Sequence, residues 1–345
     1  MERRFVLVGL VPIVIAASTS QAAPTPQAVG VPPGARSDSD AAVVDHGYLR
    51  PTWSYDGRLL AYLHSVVRPS HLGVLVVSNA DGTAAREVFG DDSLEGAVWS
   101  PVRHELAAVD NFRVFRVVTN GTPADYLVDG DDPSWSPDGS QLAFDSGGLG
   151  GSISVIDVNG GRVRVVARGD YRQRPKWSPD GRRIAFTDKA SKDGDESVAV
   201  ISSTGGRVRR LARGRSATWS PDGRTLAFSD WSNRGPTLRV VNTQGTPRPR
   251  TLLKALAGFE WITTNEWSSD GRWILLAYAD SSRSAVYVVR ADGKALRRIA
   301  SGRDPAWSPD GKKIAFSAPG NCGRRAMIHI VDANGRNRRQ ITRCT

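Results

Sequence analysis

Short apolar runs alternate with polar turns along most of the chain. Apolar triplets occupy residues 142–144, 184–186, 226–228 and 314–316, and each follows a turn sequence that contains Pro, Asp and Gly. Runs of this length, bounded by turn residues, are typical of β-strands rather than of helices. The pattern therefore predicts an all-β chain.

The turn sequence Trp-Ser-Pro-Asp-Gly occurs four times, and three looser copies extend the series. Its tryptophans are Trp53, Trp99, Trp135, Trp177, Trp219, Trp267 and Trp307. Neighbouring members are 36 to 48 residues apart, and a period of roughly 40–45 residues is typical of β-propeller blades with four strands each. The sequence predicts a β-propeller of four-stranded antiparallel blades, with seven blades from the count of tryptophans and six as the alternative.

One repeat accounts for four strands. Trp219 ends the first strand, residues 226–228 form the second, residues 238–241 the third and residues 251–253 the fourth. Pro, Asp and Gly in the turn after the tryptophan suit consecutive positions of a tight turn. The recurring tryptophans are expected to pack between blades, and aspartates such as Asp138 are expected to stabilise the turns.

The pattern Trp-Ser-Pro-Asp-Gly, followed two residues later by Ile-Ala-Phe or a similar triplet, resembles the WD-like propeller repeat of the TolB family over roughly residues 48–345. The resemblance implies a propeller that works in the cell envelope. TolB-like proteins carry an α/β domain before the propeller, and this chain is expected to lack that domain. The same repeat type occurs in propellers attached to prolyl-oligopeptidase-like peptidases, so the resemblance indicates the fold more strongly than the function.

The first residues have the features of a secretory signal peptide. Arg3 and Arg4 precede an apolar stretch at residues 5–17, and Ser20 with Ala22 offers a cleavage site. We expect a signal peptide at residues 1–22, a flexible tether rich in Pro, Ala and Ser at 23–42, and the TolB-like propeller at 43–345. Because a membrane span needs roughly 20 apolar residues, no transmembrane anchor is expected, although a retained signal is the alternative. The chain is predicted to be secreted or periplasmic.

The two cysteines, Cys322 and Cys344, both follow the last tryptophan of the series. In an oxidising compartment they are predicted to form a disulfide, with two unpaired thiols as the alternative. Two cysteines supply too few ligands for a zinc site. We expect no metal and no cofactor.

The chain is basic, with 46 Lys and Arg against 35 Asp and Glu and a formal net charge of +11. Arginines on the outer strands would protect exposed sheet edges and keep the chain soluble. They would also attract anionic envelope polymers. Nucleic acid is not an expected partner, because an exported chain without a groove-reading element has no means of contacting bases. A monomer is expected.

Alternating strands place the short Ser-Pro-Asp-Gly turns on one face of a propeller and the longer, more varied loops on the other. Binding residues on such scaffolds usually lie in the varied loops. The predicted ligand-binding residues on that face combine aromatic rings with cations. They are Arg68, Tyr171, Arg172, Arg174, Trp231, Arg234, Trp261 and Arg303.

No common catalytic motif of hydrolases or metalloproteases occurs in the sequence, and no catalytic residue is predicted. Acidic residues at 131–132, 188 and 193–196 lack the order of a calcium-binding loop and are interpreted as solvated. The sequence predicts an exported, noncatalytic binding or scaffold protein of the envelope that recognises a protein or an envelope polymer. The alternative is a polysaccharide lyase or glycan hydrolase with its site in the channel mouth. Its candidate metal ligands are His46, His64, His71, His104 and His329.

Overall fold

The computed structural model describes residues 44–67, 71–91, 93–146, 151–169, 171–189, 194–232, 235–254, 261–280, 283–321 and 325–343. Every regular element in these ranges is a β-strand. No helix within them has the length and apolar character needed to cross a bilayer. The predicted signal peptide, the tether and both cysteines lie outside the described residues.

The strands follow the sequence repeats, four to a repeat. The bounds are β1 Val44–Trp53, β2 Leu59–Val67, β3 His71–Asn79, β4 Arg86–Asp91, β5 Leu94–Trp99, β6 Glu105–Asp110, β7 Arg113–Val118, β8 Asp125–Asp129, β9 Asp131–Trp135, β10 Gln141–Asp145, β11 Ile153–Asp157, β12 Arg164–Ala167, β13 Arg172–Trp177, β14 Arg183–Lys189, β15 Glu196–Ser202, β16 Arg209–Arg213, β17 Arg215–Trp219, β18 Thr225–Ser232, β19 Gly235–Asn242, β20 Arg250–Leu253, β21 Trp261–Trp267, β22 Trp273–Ala279, β23 Ser284–Arg290, β24 Leu296–Ser301, β25 Arg303–Trp307, β26 Lys313–Pro319, β27 Ala326–Asp332 and β28 Arg339–Gln340. The strands predicted for the repeat of Trp219 are confirmed as β17 to β20.

The prediction of seven blades, or six, is wrong. The described strands form five four-stranded blades, β5–β8, β9–β12, β13–β16, β17–β20 and β21–β24, in which consecutive strands are antiparallel. The strands of the first and last repeats do not stand as separate blades. They join in a single eight-stranded sheet that contains β1–β4 and β25–β28.

A glycine explains why these two repeats share one sheet. Gly47 in β1 pairs in parallel with Ala326 in β27. A Cβ atom at Gly47 would lie 2.2 Å from the carbonyl oxygen of Ala326, and the φ of Gly47 is +89°. Because only glycine combines this conformation with such a close backbone approach, the junction depends on that residue. A count of tryptophans along the sequence cannot detect it.

The first strands of the repeats, β1, β5, β9, β13, β17, β21 and β25, each contact the next, and β25 contacts β1. They therefore enclose a central channel. The series tryptophans lie between neighbouring repeats, as predicted. The indole N–H of Trp135 donates to the carbonyl of Val98 at 3.0 Å, and that of Trp219 donates to the carbonyl of Lys176 at 2.9 Å. At these two junctions, burial of the ring and pairing of its polar N–H stabilise the contact together.

Asp138 stabilises its turn as predicted. It accepts hydrogen bonds from the hydroxyl of Ser136 at 2.6 Å and from the backbone N–H of Ser140 at 3.1 Å. We call the face that carries this turn and its equivalents at residues 179–181, 221–223 and 309–311 the turn face. The opposite face, which carries the β2–β3, β14–β15, β18–β19 and β22–β23 connections, is the loop face.

Candidate functional site

The residue immediately before each series tryptophan lies on a strand that encloses the channel. Five of the seven are uncharged, and two are charged. The seven are Thr52, Val98, Ser134, Lys176, Thr218, Glu266 and Ala306. The exceptions, Lys176 and Glu266, place a cation and a carboxyl group in the channel.

Lys176 and Glu266 form the centre of a charged cluster with Asp132 and Arg174. Burial raises the pKa of Glu266 to about 7, although Lys176 and the backbone N–H of Trp307 oppose that rise. Burial lowers the pKa of Lys176, and Asp132 and Glu266 oppose this effect. The Lys176 side chain remains accessible to solvent while protein surrounds it, which is the situation of a group inside a narrow channel. Burial also raises the pKa of Asp132.

A second ring of channel residues lies three positions before the tryptophans, where β-bulges interrupt the first strands. Five of these residues adopt the left-handed conformation although none is glycine. They are Arg50, Asp132, Arg174, Ser216 and Asp304, with φ between 50° and 56°. Arg174 uses this position to donate from Nη1 to the hydroxyl of Ser216 in the next repeat at 2.7 Å. Such conformations cost about 1–2 kcal/mol each and are common at functional sites.

A cavity of about 420 Å³ opens at the turn face beside the channel. Its walls are built from the tryptophans of four consecutive repeats and the turn prolines of three of them, with Lys176 and Ser134 among the polar lining residues. The indole nitrogen of Trp177 is buried and has no hydrogen-bond partner among the described residues. Binding residues were predicted only on the opposite face, so the cavity was not expected here.

On the loop face, Trp231 lines another cavity of about 420 Å³ between β13–β16 and β17–β20. The guanidinium carbon of Arg215 lies 4.8 Å from the centroid of the Trp231 ring. The indole nitrogen of Trp231 is buried without a partner among the described residues. Arg–aromatic stacking of this kind is worth about 0.5–2 kcal/mol, depending on exposure. Trp231 is therefore a preorganised aromatic group on the predicted binding face.

Arg172, another of the predicted binding residues, forms an ion pair in the interior. Its Nε lies 2.9 Å from Oδ1 of Asp188, and Nε of Arg210 lies 2.6 Å from Oδ2 of the same carboxylate. The Arg172 and Asp188 side chains are 13% and 2% exposed. Arg172 thus ties β13 to β14 in the interior, and the interpretation of Asp188 as a solvated acid is wrong. Tyr171, next to it, forms a backbone bridge with Gly151.

The remaining predicted residues do not form one surface. Arg174 lies in the channel, and Arg303 lines a third cavity between β21–β24 and β25–β28. Arg68 and Arg234 lie outside the described residues, and of Trp261 only the backbone in β21 is described. The structure therefore divides the predicted face into separate cavities.

The candidate metal ligands are also dispersed. His64 stacks on Tyr48 with ring centroids 4.3 Å apart, and His104 lies 3.1 Å from Asp56 at the turn face. His329 is buried against Phe316 in β27. Of His46 and His71 only the backbone is described. Within the described ranges, no three His, Cys, Asp or Glu side chains come together in a way that could hold a metal ion.

The channel cluster was not predicted, yet the sequence contains a signal for it. Lys176 and Glu266 are the two charged residues at a position that is otherwise uncharged in every repeat. Aligning the repeats on their tryptophans and looking for exceptions identifies both residues.

Residues 42–259 match the family described as the TolB beta propeller domain. This match covers more than half of the chain, and the chain belongs to this family. It confirms the resemblance inferred from the repeats. No curated protein sequence matches the chain.

Several solved structures share the fold. Oligogalacturonate lyase from Vibrio parahaemolyticus superposes with a TM-score of 0.66 at 13% identity, covering 84% of this chain and 91% of the lyase. Prolyl oligopeptidase B from Galerina marginata gives 0.64 at 11% identity, covering 86% of this chain and 50% of the peptidase. TolB from Acinetobacter baumannii gives 0.51 at 18% identity, covering 78% of this chain and 75% of TolB. At these identities the similarity shows the fold alone, and it includes enzymes as well as TolB.

Proposed function

We propose that this protein is an exported, noncatalytic binding module of the cell envelope, and that it holds a protein partner on its loop face. The cavity around Trp231 supports the proposal. It combines a tryptophan, an arginine stacked on the ring and an indole N–H that has no partner in the described part of the chain. Trp and Arg are enriched among the residues that contribute most to protein interfaces. A backbone carbonyl of a partner would satisfy the indole donor.

The charges around this cavity favour a protein over a polyanion. Three cationic and three acidic side chains line it: Lys189, Arg213, Arg215, Asp195, Glu196 and Asp230. Arg213 pairs with Asp195 at 3.2 Å, and Arg215 lies 3.7 Å from Glu196. Because the charges balance, the cavity gives a polyanion no net attraction. Mixed polar groups around an aromatic residue are typical of protein interfaces.

The signal-like residues 1–22 support export, and membership of the TolB propeller family agrees with a periplasmic location. An exported propeller with a preorganised aromatic cavity is suited to holding a partner in that compartment.

The test is affinity capture from solubilised envelope with the purified protein, followed by calorimetry with the purified partner. We expect capture that survives physiological salt and is lost in Trp231→Ala. The matched control is Trp273→Ala. Trp273 also carries a stacked arginine, with the guanidinium carbon of Arg297 4.4 Å from the ring centroid, but it lies near the turn face and not on the loop face. Binding that is equally weakened by both substitutions, or by neither, would contradict the proposal.

The channel cluster supports a second candidate, a lyase or hydrolase that acts on an acidic polysaccharide. A carboxyl group with a pKa of about 7 beside a lysine of lowered pKa could serve as a general base at neutral pH. Perturbed ionisable groups of this kind are common in active sites. Shortening of polygalacturonate that is abolished by Glu266→Gln, and unchanged by substitution of the exposed Asp125, would support this candidate over the binding module.

A further inference from the structure

Two cavities on the loop face occupy equivalent positions in different repeats. One lies between β13–β16 and β17–β20, and the other, of about 550 Å³, lies between β21–β24 and β25–β28. The backbone shows the equivalence. Gly214 donates to the carbonyl of Glu196 at 2.8 Å, and Gly302 donates to the carbonyl of Ser284 at 3.0 Å. We call the first the neutral cavity and the second the basic cavity, after the charged side chains that line them.

Three arginines at the neutral cavity and in the blade that borders it have carboxylate partners. Arg210 pairs with Asp188 at 2.6 Å, and Arg213 pairs with Asp195 at 3.2 Å. Arg215 lies 3.7 Å from Glu196. The protein therefore compensates the positive charge of this cavity itself.

The basic cavity keeps two of these three arginine positions and loses the acids. The register of the strands aligns Arg298 with Arg210 and Arg303 with Arg215. Ser284 stands where Glu196 stands in the neutral cavity, and the residue equivalent to Asp195 is Arg283. The carboxylate partner of Arg210 is likewise replaced, because Tyr278 occupies the position of Asp188.

Three guanidinium groups and three serines consequently line the basic cavity, with no acidic side chain among the described lining residues. Arg298 donates to the hydroxyl of Ser301 at 2.6 Å. Nε of Arg303 lies 3.9 Å from Oδ2 of Asp304, which is the limit for an ion pair. Arg283 pairs at 2.9 Å with Asp280, which is not among the residues that line the cavity. The positive charge of the cavity exceeds what the neighbouring carboxylates compensate.

A buried hydroxyl provides an independent indication of a ligand. Ser317 lines the basic cavity, is 0% exposed, and its Oγ has no hydrogen-bond partner among the described residues. The equivalent Ser229 donates to the carbonyl of Arg215 at 3.2 Å. Leaving a buried hydroxyl without a partner carries a free-energy cost. An acceptor atom on a ligand would remove that cost.

We propose that the basic cavity is a binding site for a small ligand that carries an oxyanion, either a carboxylate or a phosphate. Arg298 and Arg303 supply charge-assisted donors, and the Ser317 hydroxyl supplies a buried neutral donor. Guanidinium groups bind both oxyanions through paired N–H donors. The cavity is large enough for a ligand the size of a sugar or nucleotide, since small-molecule pockets usually measure about 300–1,000 Å³. This site is independent of the partner proposed for the Trp231 cavity.

The test is calorimetric titration of the purified full-length protein with inorganic phosphate and, in a second arm, with glucuronate. Chloride at matched ionic strength and neutral glucose are the controls. We expect saturable binding of at least one oxyanion, and the two arms identify which chemistry the site prefers. No saturable binding in either arm, or equal heats with chloride, would overturn the proposal.

Matched substitutions assign the binding to this cavity. Ser284→Glu installs the acid of the neutral cavity and should weaken binding by about tenfold or more, as should Arg303→Ala. Glu196→Ser, the reverse exchange in the neutral cavity, should leave the original site intact and add a second, weaker one. Circular dichroism checks the folding of each variant, and Arg303→Ala decides the question if Ser284→Glu does not fold. Unchanged affinity in the folded variants would refute the assignment.

Discussion

The carboxylate of Glu266 accepts a hydrogen bond from the backbone N–H of Trp307 at 3.0 Å, which connects the first strands of two successive repeats. Ser134 makes the same kind of bond, because its hydroxyl accepts from the N–H of Trp177 at 3.2 Å. In both cases the residue before the tryptophan of one repeat forms a hydrogen bond with the first strand of the next repeat. Glu266 provides this support with an ionisable group, so the junction that it stabilises responds to pH.

We predict that Glu266→Gln makes the free energy of unfolding less sensitive to rising pH. Burial raises the pKa of Glu266 from 4.5 to about 7, so the folded chain binds this proton more tightly than the unfolded chain does. The contribution to stability is complete below about pH 4.5 and is lost as pH rises through about 7. Glutamine keeps an acceptor for Trp307 without the charge. Relative to the native protein, the variant should gain about 1–3 kcal/mol between about pH 5 and about pH 8.

Urea unfolding across that pH range measures the difference. Replacement of Asp125 by Asn at an exposed position on β8 is the control, and it should leave the pH profile unchanged. Parallel profiles for the native protein and Glu266→Gln would show that Glu266 does not titrate in this range.

His329 gives the opposite pH dependence. Burial and the nearby charge of Arg338 lower its pKa from 6.5 to about 4. Its ring stacks on Phe316 with centroids 5.5 Å apart. The folded chain therefore favours the neutral ring, and the stability that depends on it is full above about pH 6.5 and is lost as pH falls towards 4.

We predict that His329→Gln loses less stability than the native protein between about pH 7 and about pH 4.5, by about 1–3 kcal/mol. Arg338→Met should reduce the loss in the same direction, because it removes the second cause of the lowered pKa. Thermal unfolding followed by circular dichroism provides the measurement. An acid profile that neither substitution alters would argue against a neutral buried histidine.

The blade count and the basic cavity depend on residues that the repeats do not share, and neither was predicted from the sequence. Trp-Ser-Pro-Asp-Gly specifies a strand, a turn and a packed indole in each repeat, so strands such as β18 were predicted from local chemistry. The blade count was wrong because a glycine outside the motif, Gly47, lets β1 reach Ala326. The basic cavity also depends on exceptions, because Ser284 replaces the acid found at Glu196. The exchange of Glu196 for Ser284 can be recognised only when the strand register aligns the two repeats.

The hairpin between β6 and β7 is strained at Phe112. Asn111 and Phe112 have φ of 43° and 60°, and they connect the paired residues Asp110 and Arg113. Such two-residue turns favour glycine at the second position, and the Phe112 side chain is 55% exposed. The ring therefore gains little burial to offset its unfavourable backbone conformation.

We predict that Phe112→Gly stabilises the protein by about 0.5–1 kcal/mol, because relief of the left-handed strain exceeds the greater freedom of glycine in the unfolded chain. Phe112→Val should be less stable than the native protein, since a β-branched residue tolerates this conformation poorly. Urea midpoints of the three proteins test the order. A loss of stability in Phe112→Gly would mean that the phenyl ring makes a contact worth more than the strain.

The final prediction concerns the serine of the repeated turn. The Ser220 hydroxyl donates to Oδ1 of Asp222 at 2.6 Å and accepts from the backbone N–H of Thr225 at 2.9 Å. Ser220→Ala removes both bonds and leaves the part-buried N–H of Thr225 without the Ser220 hydroxyl, so it should cost about 1–3 kcal/mol. The second repeat supplies the control. Its Ser100 has no aspartate two residues later, and its hydroxyl accepts a weak bond from the N–H of Val102 at 3.5 Å.

Ser100→Ala should therefore cost less than Ser220→Ala in the same unfolding experiment, although both serines are buried. The comparison separates the hydrogen bonds of the turn from the loss of a buried hydroxyl. Equal losses would show that the Ser–Asp pair contributes nothing beyond burial. A larger loss for Ser220→Ala would explain why the pair can recur in six repeats, since each copy stabilises its turn through contacts within its own repeat.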